Sequence, residues 1–171
     1  MITFFSLDPG TNFTGLSVWF LDNKFRLLDI ETVTVTPLSS ELKCKIEEIT
    51  ESVFRLVEDY QPVHFVYENP FFNRFRPTAF EPIIRLTNLW YIKWYKLRGD
   101  KGLFKYPPKT IKAFISSGDN KKGDMLEGVR KIKEITQFVD LDTVTEHVVD
   151  SLALGYLHLT NIRDMPELLL L

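Results

Sequence analysis

Hydrophobic and polar positions along this chain resolve it into three strands, then helices and strands in alternation. The strand-like runs are Ile2 to Asp8, Gly15 to Leu21 and Phe25 to Val35, and the alternation around Thr32 to Thr36 suits a half-exposed edge. Pro9-Gly10 and the polar residues after it let the chain reverse at once, which predicts an antiparallel meander. Ser39 or Ser40 then caps a long amphipathic helix to about Tyr60, with Leu42, Ile46, Ile49, Val53, Leu56 and Val57 as its apolar stripe and glutamates outside. Beyond Pro62, VHFVY reads as a buried strand, the segment NPFFNRFRP as an irregular substrate-facing loop, and Thr78 to about Leu97 as a second long helix. GLFKYPP predicts a short strand stopped by two prolines, followed by a short helix from Pro108 to Ile115. SSGDNKKGD is a polar loop ahead of a helix from about Asp124, and Val144 to Ile162 forms the last helix.

The chain has 171 residues, 44% of them hydrophobic, enough for one substantial core; the reading is one α/β domain over residues 1–171. It contains neither an apolar run of about 18 residues nor a charged segment leading into an apolar one, so no membrane span or secretory signal is expected and the protein should be cytoplasmic. The terminal LLLL is too short to anchor anything and is expected to dock on the body. A lone cysteine, Cys44, cannot form an internal disulfide or a zinc or iron–sulfur cluster, and is expected to pack as a small apolar residue.

The formal charge of −2 conceals an uneven distribution. Between Asn73 and Lys133 there are 15 Lys and Arg against 5 Asp and Glu; of the chain's 21 and 23, this leaves 6 and 18 elsewhere. A segment so basic, carrying Arg74, Arg76, Arg85, Lys93, Lys96, Arg98, Lys101, Lys105, Lys109, Lys112, Lys121 and Lys122, can neutralise several phosphates. Phe71, Phe72, Phe75, Trp90, Trp94 and Tyr106 are interleaved with it, as suits stacking on unpaired bases, although several must belong to the core.

Two carboxylates end strands. Asp8 closes the first run and Glu68 follows VHFVY, at the side where open α/β sheets bind ligands; a parallel crossover would set them side by side. At 100° per residue the last helix places Val148, Val149, Leu152, Tyr156 and Leu159 on one arc, and His147, Asp150, Ser151 and His158 on another. His147 and Asp150, three residues apart, can reach one ligand. Asp8, Glu68, Asp150 and an imidazole make an oxygen-rich donor set suited to Mg²⁺, with Mn²⁺ as a substitute. Two such ions, roughly 3.5–4 Å apart, activate water and stabilise the leaving oxygen of a phosphodiester. Asp8 would bridge both, Glu68 and Asp150 would complete the separate shells, and His147 would be either a ligand or the general base. Glu146, one turn before Asp150, is a possible substitute for His147.

On these residues the chain resembles the RuvC family of Holliday-junction resolvases, of phage or bacterial type. SLDPGTNFTGLSVW is similar to the family's opening I-D-P-G-(S/T)-x-x-T-G, VYENPFF to its strand ending in a catalytic Glu before an aromatic loop, and HVVDSLALGYLH to its final D/H-x-x-D-(A/S)-L-A-L helix. The resemblance implies an RNase H-like fold: a mixed five-stranded sheet, three antiparallel strands and then parallel ones, flanked by helices. It implies a homodimeric, divalent-metal-dependent endonuclease that nicks opposed strands of four-way DNA junctions, with Asp8, Glu68, His147 and Asp150 in catalysis. PPKTIKAFISSGDNKKGDM resembles the family's lysine-bearing stretch, which implies phosphate contacts from Lys112 and Lys122, with Lys109 and Lys121 as nearby substitutes. Phe71 or Phe72 matches the aromatic that stacks on an unpaired base, beside Arg74 and Arg76. Cleavage of a wider range of branched DNA, flaps and forks, is the alternative. An actin-like nucleotide binder, which shares D-x-G-T-x-x-T-G, is a distant one because it needs a second, duplicated domain.

Overall fold

The computed structural model describes residues 1–71, 78, 80–116 and 124–170. Strands β1 (Ile2–Asp8), β2 (Thr14–Leu21) and β3 (Leu27–Val35) form the meander; helix α1 (Leu42–Tyr60) leads to β4 (His64–Glu68), and α2 (Phe80–Arg98) leads to β5 (Leu103–Tyr106). Helices α3 (Pro108–Ser116), α4 (Asp124–Arg130), α5 (Lys133–Thr136) and α6 (Glu146–Asp164) follow, with a 3₁₀ turn over Pro166–Leu170. The sheet order is β3-β2-β1-β4-β5, antiparallel among the first three strands and parallel from β1 to β4 and β4 to β5. This is the mixed five-stranded sheet expected, with β3 at its edge.

Period-two alternation assigns each strand residue to one of two cores. Phe5, Leu7, Leu16, Val18, Phe65 and Tyr67 pack with α1 and α2, whereas Phe4, Trp19, Leu21 and Val66 pack with α6 and the helices before it. Asp8 shares its parity with Phe4, and Glu68 with Val66, so both carboxylates lie on the α6 side. Trp90 and Trp94 are wholly buried among the first group and are core residues, not base platforms.

Several boundaries differ from expectation for local reasons. β3 begins at Leu27 because Asp22 closes a turn, accepting hydrogen bonds from the Lys24 and Arg26 amides and leaving Phe25 at φ 60°. Neither Ser39 nor Ser40 caps α1. Glu41 holds that position without a side-chain bond, while Glu48 reaches back to the Leu38 and Ser39 amides. α6 starts at Glu146, later than Val144, because the Thr145 side chain accepts from the Val148 amide and caps it. Cys44 is only half-buried, against Glu41. Of the C-terminal leucines expected to dock on the body, Leu169 packs on the α6-side core, while Leu171 lies outside the described residues. Among the described residues no helix is long and apolar enough to cross a membrane.

The arc expected to hold His158 with His147 faces the sheet, with His147 at the strand ends and His158 in the core. His158 is fully buried, with its Nε2 2.9 Å from His64 Nδ1 and its Nδ1 2.9 Å from the Tyr106 hydroxyl. Asn161 Nδ2 donates to that hydroxyl, and donation from the hydroxyl to His158 and from His158 to His64 satisfies the chain with one proton on each ring. Both rings are thereby neutral. Burial pushes His64 from 6.5 down to about 4 and His158 well below its ordinary value. The unfolded chain binds these protons first, so the contribution is intact above about pH 6.5 and is lost as pH falls toward 4. The denaturation midpoint should therefore drop on acidification from pH 7 to 5, and drop less in a His64→Phe/His158→Leu variant. An equal drop in both proteins would contradict the neutral pair.

Candidate active site

The parallel pairing of β1 with β4 runs from Phe4↔His64 to Leu7↔Tyr67, so Asp8 and Glu68 are the next residues on neighbouring strands. The turn after Asp8 is closed by Thr14, whose hydroxyl donates to the Gly10 carbonyl at 2.8 Å, and is tied to α1 by Lys45 donating to Asn12 at 2.7 Å. The N-terminus of α6 comes down on the same end of the sheet. Thr145 sits 3.2 Å from the Thr34 hydroxyl of β3, and His147 Nδ1 donates to Asp8 Oδ2 at 2.5 Å. The close approach needs Gly15, where a Cβ would lie 2.0 Å from the His147 carbonyl oxygen.

Negative charge is crowded here. Burial pushes Glu68 up to about 8, with the charges of Asp8 and Asp150 adding and Lys112 opposing. Burial likewise pushes Asp150 up to about 7; Asp8 and Glu146 add to this, while His147 and Lys112 oppose it. Asp8 is also raised, chiefly by burial, against the pull of His147, and the bond to Asp8 raises His147 in return. Burial first, and mutual repulsion second, raise these carboxylates, and a bound cation would relieve both. The donor set is oxygen-rich, without sulfur, and fits a hard divalent ion. Among the described residues no three His, Cys, Asp or Glu side chains are drawn into a ready cage.

Asp8 is bonded to His147 and is next in register to Glu68, and Asp150 lies within electrostatic reach of Asp8, His147 and Glu68, with the Glu146 charge acting on Asp8, His147 and Asp150. Exposed Lys112 on α3 lies within electrostatic reach of Glu68 and Asp150, while Lys109 is exposed one turn earlier. Phe71 is 55% exposed shortly beyond Glu68. Phe72, Arg74, Arg76, Lys121 and Lys122 lie outside the described residues. Much of the basic charge on α2 is engaged within the fold: Arg85 with Glu81, Lys93 with Glu51, and Arg98 over the Trp94 ring. Sequence reading passed over Phe13, 47% exposed with its ring centroid 6.3 Å from that of His147; a lone aromatic in a turn gives no periodic signal.

The fold is shared with solved resolvases. A Thermus thermophilus RuvC structure in complex with Holliday junction substrate superimposes with a TM-score of 0.72 at 20% identity, covering 96% of each chain. The Fowlpox virus resolvase in its complex with Holliday junction DNA gives 0.57 at 15% identity, over 94% of this chain and 99% of that one. No family model matches the chain. The crossover junction endodeoxyribonuclease RuvC of Finegoldia magna is 26% identical over 149 residues, 85% of this chain and 88% of that protein. The chain is thus similar to RuvC in sequence and shares the fold of the solved resolvases. The RuvC fold here is the RNase H-like architecture that the three motifs implied, and the motifs sit at the strand ends and helix described above.

Proposed function

We propose that this chain is a RuvC-family, cytoplasmic, homodimeric endonuclease that resolves four-way DNA junctions by phosphodiester hydrolysis, with residues 1–171 as one nuclease domain. The observation that carries the assignment is the convergence of Asp8, Glu68 and Asp150, with His147, at one end of the sheet. Asp8, Glu68 and Asp150 would hold two Mg²⁺ ions, or Mn²⁺ in their place, with Asp8 shared between them. When bound, divalent cations supply Lewis-acid activation of water and of the phosphate. With Nδ1 of His147 engaged by Asp8, Nε2 is the nitrogen left to take a proton or a cation.

His147 stands where the family's motif more often carries aspartate. His147→Asp is accordingly expected to retain cleavage; complete loss in a single-turnover assay would assign it the base role instead. Lys112, with Lys122 and the neighbouring Lys109 and Lys121, would contact phosphate, and Phe71 or Phe72 would stack on an unpaired base, with Arg74 and Arg76 alongside. Replacing Lys112 and Lys122 together with alanine should weaken junction binding and reduce the slope of log K against log salt by about 1.8, the share of two phosphate contacts. An unchanged slope would return both lysines to ordinary solvation.

The resolvase likeness runs over almost the whole chain and leaves the actin-like reading without support. A mobile four-way junction, a flap, a fork and a linear duplex compared side by side in Mg²⁺ and Mn²⁺ test the substrate. Preferential cleavage of the junction supports the assignment, and equal cleavage of flap or fork would replace it with the broader branched-DNA activity.

A further inference from the structure

Beneath the site, three serine hydroxyls and one indole form a closed network with no exposure to solvent. Ser6 on β1 and Ser17 on β2 are register partners, with their Oγ atoms 2.8 Å apart, and Ser17 Oγ is 3.1 Å from Ser151 Oγ on α6. Ser6 donates to the Ser151 carbonyl and Ser151 to the Val148 carbonyl, each at 2.8 Å. Carbonyls only accept, so those two protons are committed, and the single Ser17 proton is left to serve either Ser6 or Ser151. The Trp19 indole N–H donates to Ser6 at 2.9 Å and lies 3.2 Å from Ser17. Every polar hydrogen is thereby used, as a buried polar cluster requires.

The placement is specific. Ser6 lies two residues before Asp8 on the same face of β1. Ser151 follows Asp150, and the Val148 carbonyl follows His147. The network therefore grips the α6 turn that carries His147 and Asp150, and ties it to the strand that delivers Asp8. One turn further on, a Cβ at Gly155 would lie 2.2 Å from Trp19 Nε1 and 2.5 Å from Ser6 Oγ, so the helix is seated as low as its backbone permits. Apolar packing alone is non-directional and tolerates sliding along the helix, whereas donor and acceptor positions fix one height and one rotation.

From this we infer that Ser6, Ser17 and Ser151, with Trp19, are positioning residues that set the height of α6, so that Asp150 and His147 face Asp8 at the geometry needed to hold divalent cation. The inference rests on the proposed assignment of those carboxylates as metal ligands. It reaches the reaction through the ligands, and none of the four residues touches DNA.

The test compares Ser6→Ala and Ser151→Ala with the unaltered protein. Mn²⁺ affinity is read from the free-ion signal in electron paramagnetic resonance, junction affinity from gel shift in Ca²⁺, and stability from thermal melting. Both substitutions should weaken Mn²⁺ binding by about 10- to 100-fold, as loss of outer-shell support does, with junction affinity changed by less than about twofold. Ser151→Thr, which restores the hydroxyl, should recover part of the loss. A lowered melting temperature with unchanged Mn²⁺ affinity would make the cluster merely structural and overturn the inference. Should Ser6→Ala not fold, the Ser151 pair decides by the same readouts. Asp8→Asn is the reference for the underlying assignment. If it too retains full Mn²⁺ affinity, both readings fall; if it alone loses affinity, only the serine clamp does.

Discussion

Asp8→Asn is expected to lose junction cleavage by more than about 100-fold, the most that removal of an outer-shell partner costs, while binding four-way junctions nearly as tightly as the unaltered protein. The substitution keeps the side chain's shape and removes its charge. In the fold, Asp8 is next in register to Glu68, bonded to His147 at 2.5 Å, and a source of the repulsion that raises both Glu68 and Asp150. Among the described residues no other side chain enters all of these relations, so its loss would remove the proposed shared ligand and the partner that orients His147. DNA affinity, by contrast, is assigned to lysines and aromatics outside the carboxylate cluster. Single-turnover cleavage and gel shift on one preparation separate the two quantities. Cleavage within about tenfold of the unaltered rate would contradict the assignment of Asp8.

Gly15→Ala is expected to damage folding and catalysis together. The added methyl would sit 2.0 Å from the His147 carbonyl oxygen, 2.2 Å from its carbon and 2.6 Å from the Val148 nitrogen. All three are backbone atoms, so no rotamer relieves the clash, and the start of α6 must lift from β2. Overpacking of this kind costs about 1–3 kcal/mol, which for a chain of this size lowers the melting temperature by roughly 2–12 °C. The lift carries His147 away from Asp8, and a displacement near 1 Å in a reacting group costs on the order of 100-fold in rate. Melting and cleavage should thus fall in parallel; normal activity with a lowered melting temperature would show that α6 need not sit this close.

Asp8 and Glu68 were legible because a strand leaves its last residue at one edge of the sheet, and because the strand–helix–strand order demanded a parallel pairing. Side-chain alternation alone puts them on a common face. The His147–Asp150 pair followed from helical spacing, and Ser151 and His158 share that arc, but the wheel did not show that these two are buried. The arc method assumes that a helix has a wet side, and α6 is enclosed by the sheet on one face and by α3, α4 and α5 around it, so polar residues on it are buried with partners from distant strands. No local pattern reveals that Ser151 meets Ser6 and Ser17, or that His158 meets His64. The same limit explains Trp90 and Trp94: interleaved with lysines they resembled a nucleic-acid surface, but their helix turns them inward, and Trp94 donates to the Lys101 carbonyl. Charge crowding at the carboxylates is likewise a property of burial and proximity, absent from any linear motif.

Strand-resolved mapping of nicks on a four-way junction, in Mg²⁺ and again in excess EDTA, tests the central claim most directly. The account predicts paired nicks at symmetric positions on two opposed strands, dependent on the divalent ion. Cleavage that survives EDTA, or single unpaired nicks scattered over all four strands, would contradict it.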